Sequence, residues 1–312
     1  MSIVLIGDLS AAAYETWRGH LAAHLPAGES LVPGPQCKDK ARIDVALAAN
    51  PPWGELATYP NLRFVQSLWA GVDRLLGDPA LPRDLTIARL IDPAMAQSMV
   101  EGTVAATLFV HRQLPAYLQQ QHQKTWRQLP QPVASRRTVG VLGFGQMGKP
   151  VCTALAALGF RVHAWGQHPR SDTTIGYSWG DTGLHSMLAE AQILVNLLPL
   201  TPATKGILNL QLFAQLPEGA ALINLGRGAH LVDDDLLEAL RSGHLHHAVL
   251  DVFHEEPLPT NHPFWIHPQI TVLPHVAATT DPATAAPIAI QNVAAFRGGH
   301  PLTGLVSRSL GY

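Results

Sequence analysis

Short apolar runs rich in Val, Ile and Leu alternate along the chain with longer stretches of helical periodicity. This is the pattern of parallel strands covered on both faces by crossover helices. In the first hundred residues the runs Ile3–Ile6, Val45–Ala48 and Leu62–Gln66 predict strands, with a helix over Ala11–Leu25 and a bend at Pro51-Pro52. A long helical stretch follows from about Met95 to Gln121, with Pro115 inside it as a kink or restart. The polar segment Arg127–Arg137, containing Pro130 and Pro132, interrupts the pattern. A second and stronger series then runs through Thr138–Leu142, Arg161–Trp165, Ile193–Leu197, Ala221–Leu225, Ala248–Val252 and Ile270–Leu273. Strands joined in this way by helices or crossovers predict a Rossmann-type domain. One more helical pattern spans Asp281–Arg297, ahead of a tail of mixed polarity.

At 312 residues the chain is longer than one core usually supports, so two domains are expected. Because the second series begins after residue 100, the closing helix is expected to return to the first domain. Charged residues make up only 14 %, with 23 acidic against 21 basic, which excludes both a basic footprint and an acidic tail. Nucleic acid and membrane are therefore not expected as partners. Pro, Gly or charge interrupts every apolar run before the roughly 18 to 20 residues a membrane span needs. Cys37 and Cys152 are the only cysteines, and the start MSIVLIGD enters a strand-like run without a basic n-region. A cytoplasmic protein without disulfides is the expectation. His244, His246 and His247 crowd together, but no acid or cysteine joins them at ligand spacing. Following Arg241-Ser242-Gly243, they read as a solvated helix end, and no metal site is expected.

Candidate chemistry begins at Gly143-Phe144-Gly145-Gln146-Met147-Gly148. G-x-G-x-x-G alone is a weak signal, but here it follows the strand TVGVL and opens a helix over Met147–Leu158. Backbone N–H groups and the helix dipole then face a pyrophosphate, so Gly143, Gly145, Gln146, Met147 and Gly148 are expected to bind a dinucleotide. Where the second strand ends, an NAD-specific site would carry Asp or Glu; this chain has Gly166-Gln167-His168-Pro169-Arg170. Without that carboxylate, and with positive charge and donors at His168 and Arg170, NADP is expected to be preferred, with NAD as the alternative.

Ligands of open α/β sheets bind beyond the carboxyl ends of the strands. Three charged or titratable residues stand there: Arg227 after ALINL, Glu256 after AVLDVF and His275 after ITVL. Reduction of a keto acid requires a cation for the carboxylate, a proton donor for the carbonyl oxygen, and a group that keeps the donor protonated. Arginine's planar fork, a histidine near its ordinary pKa of about 6.5 and a neighbouring carboxylate meet these needs. Singly each has a bland structural role; together, downstream of a dinucleotide loop, they read as catalytic.

The segments GFGQMG, LLPLTP, INLGRG, LDVFHEEPLP and PHVAATT, in this order and spacing, resemble the successive motifs of the D-isomer-specific 2-hydroxyacid dehydrogenases. The resemblance covers nearly the whole chain and is most specific over residues 138–280. It implies an α/β fold of two doubly wound parallel-sheet domains. A Rossmann-type cofactor domain, 101–281, would be inserted in a discontinuous, flavodoxin-like substrate domain made of 1–100 and 282–312. It further implies Arg227 as the substrate-binding arginine, Glu256 as the partner of the histidine and His275 as the acid/base. Further cofactor contacts are implied at Leu198, Pro199, Leu225 and Asp251. The segment Ser67–Asp73 resembles the family's substrate loop, which adds Trp69, Ala70 and Gly71 as substrate-binding residues. The implied activity is nicotinamide-dependent reduction of small 2-keto acids by a homodimer. A broader 2-hydroxyacid dehydrogenase and a dinucleotide-sensing binding protein of the corepressor type are the alternatives.

Overall fold

A computed structural model describes residues 2–171 and 175–312. The chain forms two compact units, one comprising Met1–Met95 with Thr280–Tyr312 and the other Ala96–Thr279.

In the first unit, β1 (Ser2–Gly7), β2 (Ser30–Pro33), β3 (Ile43–Ala49), β4 (Phe64–Ser67) and β5 (Thr86–Ala88) build one sheet in the order β2-β1-β3-β4-β5. All its ladders are parallel, and the order is that of flavodoxin-like folds. Alternate residues of the central strands serve opposite faces. Ile3, Leu5, Val45 and Leu47 meet Trp17 and Leu21 of the helix Ala11–Ala23 and Ala285, Ala289 and Val293 of the helix Pro282–Gly298. Val4, Ile6, Ala46 and Val65 pack on the other side. The closing helix is started by Asp281, whose carboxylate accepts from Ala283 N–H at 2.9 Å, and is stopped by Gly299 at φ +67°.

In the second unit, β6 (Thr138–Leu142), β7 (Arg161–Gly166), β8 (Gly176–Trp179), β9 (Ile193–Asn196), β10 (Ala220–Asn224), β11 (Leu245–Leu250) and β12 (Ile270–Val272) form a sheet in the order β12-β11-β10-β9-β6-β7-β8. Every ladder is again parallel. The order reverses between β6 and β9, which makes their carboxyl ends the switch point at which such sheets take ligands. In the central strands β6, β9 and β10 both faces are buried, which explains why TVGVL, ILVN and AALIN are nearly continuous apolar runs rather than alternating ones. The predicted long helix is two, Pro93–His111 and Leu114–His122, broken at Gln113 with φ +58° and restarted with Pro115 in its first turn.

The expectation of a solvated helix end at His244, His246 and His247 is corrected. The helix stops at Arg241, Gly243 turns the chain at φ +79°, and the last two histidines lie in β11. His247 is buried, donates or accepts at Thr271 Oγ1 across 2.9 Å, and burial pushes its pKa down to about 4. Among the described residues, no group of His, Cys, Asp and Glu is arranged to hold a metal ion. No helix among them is long and apolar enough to cross a membrane.

Candidate active site

The glycine loop leaves β6 at the switch point. Gly143 has φ +100°, and a Cβ there would stand 2.9 Å from the Leu197 carbonyl oxygen. At Gly148, the first residue of the helix Gly148–Ala157, a Cβ would lie 1.9 Å from the Gly143 carbonyl oxygen. Both glycines are required by contacts within the protein. Gly145 is different: a Cβ there would meet nothing within 4 Å, so its bare backbone faces open space. An exposed backbone at a helix N-terminus beside the switch point fits the pyrophosphate of a dinucleotide.

Beyond β7, Arg170 folds back over this loop. Its Nη1 donates to the Phe144 carbonyl at 3.1 Å, and the guanidinium sits 5.6 Å from the centre of the Phe144 ring. Tyr177, on the unpredicted strand β8, packs its ring 5.4 Å from that of Phe144 and donates its hydroxyl to the His168 carbonyl at 2.6 Å. A Cβ on Gly166 would come within 2.6 Å of that hydroxyl. The Tyr177 hydroxyl thus borders the position at which NAD-specific sites carry an acid. His168 and Arg170 are both exposed beside the loop.

The carboxyl ends of β10, β11 and β12 carry the three predicted residues. His275 Nδ1 and Glu256 Oε2 are 2.7 Å apart, and Glu256 Oε1 accepts from Phe253 N–H at 2.8 Å. The hydrogen bond to Glu256 raises the His275 pKa above its ordinary value, against burial and the nearby charge of Arg227. Burial pushes Glu256 up, but its bonds from His275 and Phe253 and the charges of His275 and Arg227 outweigh this and leave it lowered. Arg227 is half-buried between the two buried glycines Gly226 and Gly228; a Cβ on Gly228 would overlap Phe253 at 1.9 Å. Its Nη1 donates to the Gly226 carbonyl at 2.8 Å.

Asp251, at the end of β11, is buried, and its carboxylate accepts from Val276 N–H at 2.7 Å and Ala277 N–H at 3.0 Å. Desolvation raises its pKa, opposed by those two N–H bonds. The pair of bonds fixes the turn on which His275 stands at φ +54°. Gly102 of the helix Pro93–His111 seals the same turn, since a Cβ there would be 2.9 Å from the Ala277 carbonyl oxygen. Leu198 and Leu225 are buried at the ends of β9 and β10, with Pro199 half-buried next to Leu198.

Trp69, Ala70 and Gly71 follow β4 in the first unit, all half-buried. The Trp69 ring meets Trp17 edge-on at 5.9 Å, and its carbonyl accepts from Leu90 N–H at 3.0 Å. The sequence reading passed over Asn196, Asn224 and His230, which lie fully buried beneath Arg227. The available signal was an asparagine closing each of the apolar strands ILVN and AALIN, since a buried amide demands partners.

Sheet order, glycine loop and strand-end residues together define a Rossmann-type dinucleotide-binding protein. Residues 104–277 match the family described as D-isomer specific 2-hydroxyacid dehydrogenase, NAD binding domain. The chain is 42 % identical over 303 residues to the glyoxylate/hydroxypyruvate reductase A of Serratia proteamaculans, covering 96 % of each chain. Among solved structures, it resembles a D-isomer specific 2-hydroxyacid dehydrogenase from Xanthobacter autotrophicus in complex with NADPH and MES. That likeness has a TM-score of 0.93 and 35 % identity over 99 % of both chains. It also resembles the NADPH-dependent glyoxylate/hydroxypyruvate reductase of Sinorhizobium meliloti in complex with NADP and sulfate, with a TM-score of 0.92, 34 % identity, and 100 % and 99 % of the two chains covered. The chain belongs to the D-isomer specific 2-hydroxyacid dehydrogenases.

Proposed function

We propose that this protein reduces small 2-keto acids, glyoxylate and hydroxypyruvate, to 2-hydroxy acids of D configuration, using NADPH in preference to NADH. The observation that carries the reading is the 2.7 Å pair of His275 and Glu256 beyond the sheet that bears the dinucleotide loop. The names of the relatives in Serratia proteamaculans and Sinorhizobium meliloti support the substrate class. Gly143, Gly145, Gln146, Met147 and Gly148 would hold the pyrophosphate, with Leu198, Pro199, Leu225 and Asp251 completing the cofactor's surroundings. When bound, the nicotinamide supplies the hydride.

Arg227 binds the carboxylate of the keto acid and polarises its carbonyl. With Nδ1 of His275 engaged by Glu256, Nε2 is the nitrogen that gives its proton to the carbonyl oxygen. Glu256 orients the ring and stabilises the imidazolium before transfer. Trp69, Ala70 and Gly71 would contribute to substrate binding, as the resemblance of Ser67–Asp73 to the family's substrate loop implies. Cys37 and Cys152 are both free thiols, which suits a cytoplasmic protein, and the exposed apolar side chains of Leu114, Leu118 and Trp126 support a homodimer.

The His275 pKa is raised, so the donor is charged below that value and is lost as pH rises through it. Reductive kcat/KM is therefore expected to fall as pH rises through that raised pKa, at a higher pH than an unpartnered histidine would give. In Glu256→Gln the largest cause of the raised pKa is gone, and the alkaline limb moves to lower pH with a reduced plateau. A pH profile identical to wild type would leave Glu256 a structural role only.

The lack of an acid at Gly166 and the position of Arg170 over Phe144 support the NADPH preference. Arg170→Ala is expected to lower kcat/KM for NADPH about tenfold while changing that for NADH little, as for loss of one charge-assisted contact. Equal losses with both cofactors would remove Arg170 from the 2′-phosphate site.

A further inference from the structure

Asn196 closes β9, Asn224 closes β10, and His230 lies in the short turn after Arg227; all three are 0 % exposed. Polar side chains so buried persist when their donors and acceptors are met, and here they largely meet one another. Asn196 Oδ1 accepts from Leu198 N–H at 3.2 Å, which fixes the orientation of the amide. Its Nδ2 then donates to Asn224 Oδ1 and to His230 Nδ1, each at 2.9 Å. Asn224 Oδ1 also accepts from Gly226 N–H at 3.2 Å, while its Nδ2 donates to the Arg227 carbonyl at 3.2 Å. His230 Nδ1 receives a second donor, Arg227 N–H, at 3.1 Å.

Two N–H donors directed at Nδ1 make that nitrogen the acceptor, so the ring proton sits on Nε2. Nε2 is placed to donate to the Pro199 carbonyl at 3.2 Å. The one ring thus ties the backbone of Arg227 to the segment after β9. The guanidinium is aimed from that backbone.

We infer that His230 is a positioning residue: held as the Nε2–H tautomer by Asn196, it fixes the backbone of Arg227 and so the direction of the guanidinium toward the substrate carboxylate. The inference rests on the proposed role of Arg227 as that carboxylate's ligand. Asn and Gln replacements divide the ring's two functions, since Asn Oδ1 reproduces the Nδ1 acceptor and Gln Nε2 reproduces the Nε2–H donor. In His230→Asn the KM for hydroxypyruvate is expected to stay within about threefold of wild type, and in His230→Gln to rise about tenfold or more. The Tm should be alike in the two variants, and any rise in the Kd for NADPH should fall on His230→Asn, which loses the donor to the Pro199 carbonyl. Equal KM values, or KM values that simply follow Tm, would overturn the inference. Nitrogen NMR of the wild-type ring at neutral pH supplies a second test that does not depend on the variants folding. An unprotonated Nδ1 with a protonated Nε2 is expected, and a proton on Nδ1 would overturn the inference. Wild-type protein that turned over no 2-keto acid would instead remove the role given to Arg227, a failure distinguishable from the other two.

Discussion

Replacing His275 by alanine is expected to lower kcat for keto-acid reduction by about 10²- to 10⁴-fold, the usual worth of a positioned general acid. The Kd for NADPH should be nearly unchanged, because the glycine loop leaves β6 whereas His275 follows β12. The size of the loss follows from the environment of the ring. Glu256, bonded at 2.7 Å, holds the imidazole in one orientation and raises its pKa, and the turn beneath it is fixed by the two N–H bonds to Asp251. Water replacing the imidazole would lack both the orientation and the acidity near neutral pH. Fluorescence titration with NADPH beside steady-state kinetics checks both halves of the prediction. Near-normal kcat in His275→Ala would remove the histidine from the chemistry.

Arg227→Gln should cost about 10²-fold in kcat/KM for hydroxypyruvate, through KM because the carboxylate loses its cation and through kcat because the carbonyl loses its polarising group, since one or two charge-assisted hydrogen bonds of about 1.5–3 kcal/mol each are lost. Glutamine keeps a hydrogen-bond donor but neither the charge nor the planar fork. The local fold should tolerate the change, because the backbone of Arg227 is held by His230 Nδ1 at its N–H and by Asn224 Nδ2 at its carbonyl. The variant also carries a pH signature. The charge of Arg227 lowers the His275 pKa, so its removal should move the alkaline limb of the profile upward, opposite to Glu256→Gln. Kinetics across pH on both variants would show the two shifts of opposite sign; a profile unmoved in Arg227→Gln would separate the arginine from the histidine.

The parts legible in the sequence are those in which local pattern and chemistry coincide. Strand ends bounded by long apolar runs located Arg227, Glu256 and His275, and the glycine loop was legible because a strand precedes it and a helix follows. Short strands without such runs were missed: β2 is SLVP, β5 is TIA and β8 is GYSW, with exposed or half-buried positions in each. The missed strand β8 carries Tyr177, whose hydroxyl stands 2.6 Å from where a Cβ on Gly166 would lie. His247 was misplaced because Gly243 turns the chain sharply enough for a strand to begin two residues later. The network of Asn196, Asn224 and His230 joins residues distant in the chain, so composition and periodicity carry no record of it. What the sequence did offer there was two asparagines in apolar strands, a demand for partners without their names.

The central claim, a nicotinamide-dependent reductase of small 2-keto acids, is tested most directly by kcat/KM of the wild-type protein for glyoxylate, hydroxypyruvate and phenylpyruvate, each with NADPH and with NADH. Reduction of both small acids is predicted, hydroxypyruvate better than glyoxylate through its extra hydroxymethyl contacts, with NADPH preferred and phenylpyruvate weak. Absence of cofactor-dependent reduction of both small acids, or efficient reduction of phenylpyruvate with hydroxypyruvate poor, would contradict it.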